Sequence, residues 1–121
     1  MNEEAPRQVL PLPAAWFHML LSFWEGPKHG YGVKREVEAR TDGVIRLGAS
    51  TLYETIYRLE RKGLIAETGS PPPGTSSPRQ RFYELTQHGR EVLEAEFHRL
   101  DADVERARAI VSPEPEARSE S

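Results

Sequence analysis

The 121-residue chain contains no cysteine, which excludes a disulfide scaffold, thiolate zinc sites and thiol nucleophiles. It also lacks a long hydrophobic run. The longest apolar stretch, residues 14–24, is interrupted by His18 and Ser22 and is far shorter than the ~20 residues that a membrane span needs. The first residues are acidic, unlike the basic start of a signal peptide. These absences predict a soluble, cytoplasmic protein without a membrane partner.

A net positive charge is missing as well, since 16 Lys and Arg face 19 Asp and Glu. The total of −3 argues against a nucleic-acid ligand, but the charges are unevenly placed. Residues 28–90 carry 11 basic and 7 acidic side chains, whereas residues 91–121 carry 4 and 9. A mildly basic middle is therefore flanked by acidic ends, and local charge decides which partners a surface attracts.

The spacing of apolar residues and of turn residues divides the chain into a few elements. In chain order we predict a flexible arm over 1–12, then helices over 14–25 and 30–40. A third helix has Ser50 as its N-cap and ends at Gly63, and strands over 64–68 and 81–85 flank a Gly/Ser/Pro-rich loop. A last helix over 87–111 is followed by a disordered acidic tail over 112–121. Three helices followed by a hairpin are typical of a winged helix-turn-helix, with the third helix as the recognition helix and the hairpin as the wing. The predicted fold class is therefore mainly α (α+β): a winged helix-turn-helix over residues 13–86, with a two-stranded wing and a long C-terminal dimerisation helix.

The last helix carries a regular apolar seam. Its apolar positions step alternately by four and three residues: Leu93, Phe97, Leu100, Val104, Ala107 and Val111. Such a heptad spacing favours pairing with another helix. The first helix is apolar nearly all round, which also favours a second buried side. We therefore predict a homodimer, with the contact formed by Trp16, Leu20, Leu93, Phe97, Leu100, Val104 and Ala107.

The third helix has two different faces. Leu52, Ile56 and Leu59 form one buried stripe, and the rest of the helix is polar. Short hydroxyls near its start suit base edges or phosphates, Arg58 suits phosphates, and Glu54 could accept from a cytosine amino group. A solvated amphipathic helix would show the same pattern, and the hairpin that follows is what favours DNA. The predicted contacts to a double-stranded operator are Lys28, His29, Ser50, Thr51, Tyr53, Glu54, Arg58, Lys62, Arg79 and Arg81.

Three motifs in this order resemble the PadR-like transcriptional regulators: GPKHGYGVKREVEAR at 26–40, STLYETIYRLERKGLI at 50–65 and FYELTQHGREVLEAE at 82–96. The resemblance implies a homodimeric DNA-binding repressor, in which the first and last helices form the dimer and a small aromatic effector often releases the DNA. Two features depart from the family pattern. Ser50 stands where the family often has glycine, and the wing loop carries few charges.

The sequence also bears on two other functions, catalysis and protein binding. The four histidines form no HxxxH pair and have no carboxylate cluster at metal-ligand spacing, so we expect no catalytic residue, no metal site and no cofactor. A winged-helix module that binds proteins and not DNA remains the alternative. Trp16, Phe17, Phe23 and Trp24 are candidates for lining an aromatic effector pocket between subunits, although such residues are more often core. Steep salt dependence would separate DNA binding from a protein interface.

Overall fold

The computed structural model describes residues 5–69 and 81–112. A short 3-10 helix, Pro6–Val9, leads into four α-helices and three short strands within these residues. The helices are α1 (Ala14–Trp24), α2 (Gly30–Arg40), α3 (Ala49–Arg61) and α4 (Gln87–Val111). The strands are β1 (Lys28–His29), β2 (Ile65–Thr68) and β3 (Phe82–Leu85). The helix-rich, α+β winged-helix class predicted from the sequence is confirmed.

The strands form one antiparallel sheet in the order β1-β3-β2. Ile65 pairs with Leu85 and Thr68 with Phe82, as expected for the hairpin of a wing. On its other edge, β3 pairs with β1, so that Lys28 faces Tyr83 and His29 faces Phe82. The predicted two-stranded wing is thus a three-stranded sheet, because the two residues between Pro27 and α2 are too few to show a strand pattern in the sequence.

The start of α3 also differs from the prediction. The helix begins at Ala49, and Gly48 is its N-cap residue, without a side-chain cap. Ser50 is therefore already inside the first turn and not the cap itself. One consequence is that the hydroxyls of Ser50 and Thr51 are not engaged in capping and are free to face outward, where both residues are exposed.

The core lies where α1, α2 and α3 meet the sheet and the first half of α4. Met19, Val33, Val37 and Leu59 are fully buried there. Two residues predicted at the subunit contact, Leu20 and Leu93, also belong to this core, with 0% and 3% of their surface exposed. That part of the prediction was wrong, because both side chains are already buried by packing within one protomer.

Residues 5–12 pack along α4, where the sequence predicted a flexible arm. Leu12 is buried, and its backbone N–H donates to the Glu96 carboxylate at 3.0 Å. Glu96 is itself buried and is held by two hydrogen bonds from Arg99, of 2.6 and 2.9 Å. The arm is therefore tied to the last helix at its junction with α1. The predicted tail, 112–121, lies outside the described residues apart from Ser112.

The junction between the sheet and α4 is equally specific. Thr86 is the N-cap of α4; its hydroxyl accepts from the N–H of Gly89 at 2.9 Å and donates to the carbonyl of Gly63. A Cβ on Gly89 would overlap the carbonyl oxygen of Leu64. The start of α4 thus lies directly against the segment that ends α3. From residue 103 onward α4 is exposed on every side. Over residues 5–69 and 81–112, no helix is both long and apolar enough to cross a membrane.

Candidate nucleic-acid interface

Helix α3 buries one face and exposes the other, as its sequence pattern predicted. Leu52, Ile56 and Leu59 are buried. Thr55, a hydroxyl that the polar pattern would place outside, is buried with them. The exposed face is polar and aromatic and consists of Ser50, Thr51, Tyr53, Glu54, Tyr57, Arg58, Arg61 and Lys62.

The position of α3 is fixed by a close approach to α2. A Cβ on Gly30, the first residue of α2, would lie 2.8 Å from Cδ1 of Ile56 and 3.2 Å from the Tyr53 ring. A side chain at position 30 would require the end of the Ile56 side chain to shift. The Tyr53 ring therefore packs against the start of α2, while more than half of the residue's surface stays exposed.

The loop between α2 and α3 is held by side chains of α2 and of the loop. The carboxylate of Glu38 accepts from Lys34 at 3.0 Å and from the N–H of Leu47 at 3.2 Å. The bond from Lys34 and then the bond from Leu47 lower the pKa of Glu38. The hydroxyl of Thr41 accepts from the N–H of Ile45 at 3.1 Å. These bonds set the path by which the chain enters α3.

Two pairs of side chains line the exposed face of α3. Arg58 donates to Glu54 at 3.0 Å, and both are about 60% exposed. Arg61 donates to the Tyr57 hydroxyl at 2.6 Å, with its guanidinium 5.5 Å from the ring centroid. The predicted contacts did not include Tyr57 or Arg61, although steps of seven and four residues from Ser50 place both on its stripe. That spacing was the signal that could have identified them.

Lys28 and His29 lie in β1 and not on the exposed face of α3. Lys28 forms ion pairs with Glu36 at 3.3 Å and with Glu25 at 3.7 Å, and its side chain is 21% exposed. His29 is the N-cap of α2, where its Nδ1 accepts from the N–H of Gly32 at 3.2 Å. Its ring packs edge-on against Phe82. Both residues thus have structural partners that the sequence did not reveal.

The wing is described at its two strands. Arg81 stands at the start of β3, 73% exposed, with Nε 3.9 Å from the Glu67 carboxylate. It is therefore an exposed cation just before the central strand of the sheet. Arg79, the other predicted wing contact, lies outside the described residues, as does the loop from 70 to 80.

Within one protomer, the residues predicted to line an effector pocket between subunits lie at different places. Trp16 lines a groove of about 440 Å³ against the outer face of α3. Trp24 lines a separate, more apolar groove of about 260 Å³ with Leu21, Leu93, Glu94 and Phe97. Phe17 packs against the core. These residues therefore do not share a pocket within one protomer.

An exposed apolar surface continues from the Trp24 groove along α4. Trp24 is 41% exposed, Phe97 56% and Val104 51%. Leu100 is partly exposed, and Ala107 is exposed. Arg90 lies over the Trp24 ring, 4.8 Å from its centroid. Of the predicted dimerisation residues on α4, those that stay exposed or partly exposed within the protomer are Phe97, Leu100, Val104 and Ala107.

No cluster of three or more His, Asp or Glu side chains with the arrangement of a metal site occurs in the part of the chain that the structure describes. The features that the fold brings together are instead a braced helix with an outward polar face, an adjoining wing and an unpaired apolar seam.

Comparison with known proteins decides the family. Residues 19–95, more than half of the chain, match the model of the transcriptional regulator PadR-like family. The chain belongs to this family. The PadR-like match covers α2, α3, the wing and the first turns of α4, together with most of α1, so it includes the whole exposed face described above.

Solved structures share the fold of this chain, and one curated relative shares part of its sequence. A transcriptional regulator from Clostridium thermocellum has the same fold, with a TM-score of 0.67 and 20% identity over 81% of this chain and 90% of that one. A probable transcriptional regulator from Pseudomonas aeruginosa is 26% identical, with a TM-score of 0.59 over 85% and 67% of the two chains. An uncharacterized 37.1 kDa protein in transposon TN4556 of Streptomyces fradiae is 37% identical over 82 residues, 68% of this chain. The PadR-like chain spans about a fifth (21%) of the length of that relative.

Proposed function

We propose that this PadR-like chain is a homodimeric, sequence-specific DNA-binding repressor that a small-molecule effector releases from its operator. Within each protomer, α3 enters the major groove and the wing contacts the adjacent backbone. Two copies place their α3 helices in successive major grooves, so half-sites lie about 10 bp apart or a multiple of that.

The exposed face of α3 is the observation that carries this proposal. It presents three cations and one carboxylate, next to the hydroxyls of Ser50 and Thr51 in the first turn. Cations along a helix neutralise phosphates, and the helix start favours an anion because its N–H groups point outward. Glu54 is able to accept from a cytosine amino group once Arg58 turns from it to a phosphate.

The total charge of −3 does not oppose this assignment. The acidic excess lies mainly on α4 and beyond, whereas residues 28–90 are basic. Two copies would present two basic faces, and counter-ion release from the duplex would then supply a large part of the affinity. Arg81 extends the basic face toward the wing.

The exposed seam on α4 supports the homodimer. Phe97 and Val104 belong to the heptad pattern and are more than half exposed in the single chain. Exposed apolar side chains in a continuous row are uncommon on a protein that acts alone. A second copy of α4 and of the Trp24 surface would bury them. Repression and relief by an effector follow from the resemblance to PadR-like regulators.

Selection of bound fragments from genomic DNA, repeated at two salt concentrations, tests the proposal. We expect enrichment of a pseudo-palindromic site, with an affinity that falls steeply as salt rises. Arg58→Ala should weaken binding, and Arg108→Ala, an exposed arginine on α4, serves as the matched control. If no sequence is enriched while the purified chain binds a protein partner with little salt dependence, the chain is an interaction module and the DNA-binding proposal is wrong.

A further inference from the structure

The sheet places three side chains of the wing on one face. Glu67 of β2 pairs in register with Tyr83 of β3. Arg81 precedes Tyr83 by two residues, and side chains two residues apart point to the same face of a strand. Arg81 therefore lies diagonally across from Glu67, at a separation that a long side chain spans.

Arg81 uses this position to contact a carboxylate of its own sheet. Its Nε lies 3.9 Å from Oε2 of Glu67, and the two side chains are 73% and 49% exposed. An exposed ion pair of this kind is weak and is screened by salt. Another anion, such as a DNA phosphate, therefore competes with Glu67 for the same guanidinium.

The surroundings of the pair also favour a cation at this place. Tyr83 is buried between the carboxylates of Glu60, in the last turn of α3, and Glu67. Burial is the main cause that raises the pKa of the Tyr83 hydroxyl, the carboxylate of Glu60 raises it further, and a hydrogen bond from Arg81 lowers it. Arg81 thus has two partners, and its departure to a phosphate would leave both carboxylates without this cation.

Helix α3 shows the same arrangement with a different consequence. Arg58 donates to Glu54 at 3.0 Å, so a carboxylate also holds this second cation of the proposed DNA face. When Arg58 turns to a phosphate, Glu54 is able to accept from a cytosine amino group in the major groove. Glu67 stands in the wing, beside the DNA backbone, whose phosphate and sugar oxygens accept hydrogen bonds and give a carboxylate no new partner.

We propose that Glu67 restrains Arg81 in the free protein, that a phosphate contact of the wing first breaks this ion pair, and that Glu67 thereby weakens binding to every DNA sequence alike. The inference rests on the proposed function, because it concerns the affinity of the DNA-binding wing. Glu67 is a positioning residue that acts through Arg81. It sets the strength of sequence-independent binding, whereas Glu54 affects the choice of sequence.

Binding isotherms of the full chain on the selected operator fragment and on a duplex of arbitrary sequence test the proposal. Glu67→Gln should tighten binding to both by a similar factor of about two to five, the range expected for an exposed ion pair. Glu84→Gln is the matched control, because it removes the same charge from an exposed position on the opposite face of β3. Its effect on either affinity should be clearly smaller.

Arg81→Ala separates the restraint from a simple change of charge. In that background, Glu67→Gln should tighten DNA binding no more than Glu84→Gln does, since the arginine that it releases is gone. An effect of Glu67→Gln that persists without Arg81 would overturn the proposal. Equal effects of the two glutamate variants in the presence of Arg81, or a tighter affinity for the operator alone, would overturn it as well.

Binding to heparin, a polyanion without bases, distinguishes failure of this inference from failure of the proposed function. Glu67→Gln should tighten heparin binding when Arg81 is present and should not after Arg81→Ala. If the chain selects no DNA sequence, the proposed function is wrong, and the heparin measurements still decide whether Glu67 restrains Arg81. Absence of binding to heparin and to every duplex would overturn both.

Discussion

The backbone N–H of Leu12 donates to the carboxylate of Glu96, 84 residues further along the chain. The carboxylate also accepts two hydrogen bonds from Arg99, and Glu96 is 1% exposed. A buried carboxylate is tolerated only when such bonds replace its hydration. The bond from Arg99, and then the bond from Leu12, lower the pKa of Glu96. This one side chain therefore ties the N-terminal segment to α4.

Glu96→Gln should destabilise the fold at neutral pH by about 2–3 kcal/mol, because it removes charge-assisted hydrogen bonds from a buried site. Since the folded-state pKa of Glu96 is depressed, its contribution is complete above the unfolded value of about 4.3 and is lost as pH falls through the folded pKa. The free-energy difference between wild type and variant should thus shrink in that acidic window. Urea unfolding between pH 7 and pH 3 measures it, with the exposed Asp101→Asn as control. A difference that stays constant across this range would contradict the assignment.

Gly89→Ala should destabilise the protein by about 3 kcal/mol, since overpacking against backbone leaves little room for relaxation. The added Cβ would overlap the carbonyl oxygen of Leu64 and lie 2.9 Å from Cδ2 of Leu85. Gly69→Ala is the matched control, because no atom of residues 5–69 or 81–112 outside its own chain neighbours lies within 4 Å of its Cβ position. Thermal unfolding of the two variants compares them. A melting temperature for Gly89→Ala equal to that of the control would show that α4 can shift away from β2.

Val104→Asp should split the proposed dimer without unfolding the protomer. Val104 lies on the exposed outer half of α4, on the same stripe as Phe97. A carboxylate there would be buried without a partner in a helix pair. Light scattering should give the monomer mass for this variant and twice that mass for Ala109→Asp, whose side chain lies on the opposite face of the helix. If both variants kept the dimer mass, the subunit contact would lie away from Val104.

Arg58→Ala should weaken DNA binding across all sequences and reduce the slope of log affinity against log salt by about one. Glu54→Gln should instead change the preference at one base pair, by about 1–3 kcal/mol of discrimination. Binding isotherms at three or more salt concentrations, on the selected site and on single-base variants of it, separate the two effects. If both variants altered every sequence equally, Glu54 would have no part in reading bases.

His29→Ala should cost about 1 kcal/mol of stability through loss of the α2 cap, and His29→Asn should restore most of it. The reason is the bond from the N–H of Gly32 to Nδ1 of His29. Neither variant should alter the salt slope of DNA binding. A reduced slope for both would return His29 to the set of phosphate contacts in which the sequence had placed it.

The sequence predicted those parts of the fold that local patterns determine. The heptad spacing of apolar residues predicted α4, and the helical spacing of Leu52, Ile56 and Leu59 predicted the two faces of α3. The sequence did not predict the features that depend on residues distant in the chain. Lys28–His29 is a strand only because β3 lies beside it, and Leu20 and Leu93 are core only because α1 packs on α4. Periodicity states which face of a helix is apolar but not which neighbour covers it.

For the candidate site, the sequence predicted a polar face on α3, and most of the residues predicted on that face are exposed. Neither Tyr57 nor Arg61 was among the predicted DNA contacts, since an aromatic beside an arginine on a polar face resembles ordinary surface. The sequence-based prediction also grouped Trp16 with Trp24 because both are aromatic and lie on one helix. The structure places them on two grooves, since neighbouring elements and not helix position determine what a side chain faces.

The tight junction at Thr86 and Gly89 bears on how the two ends of the molecule communicate. Helix α4 is 25 residues long and starts against the segment that ends α3, with no slack between them. Over roughly 37 Å of helix, a tilt of a few degrees at the far tip becomes a shift of a few ångströms at the other end. In the proposed dimer, any change in the angle between the two α4 helices would therefore alter the separation of the two α3 helices.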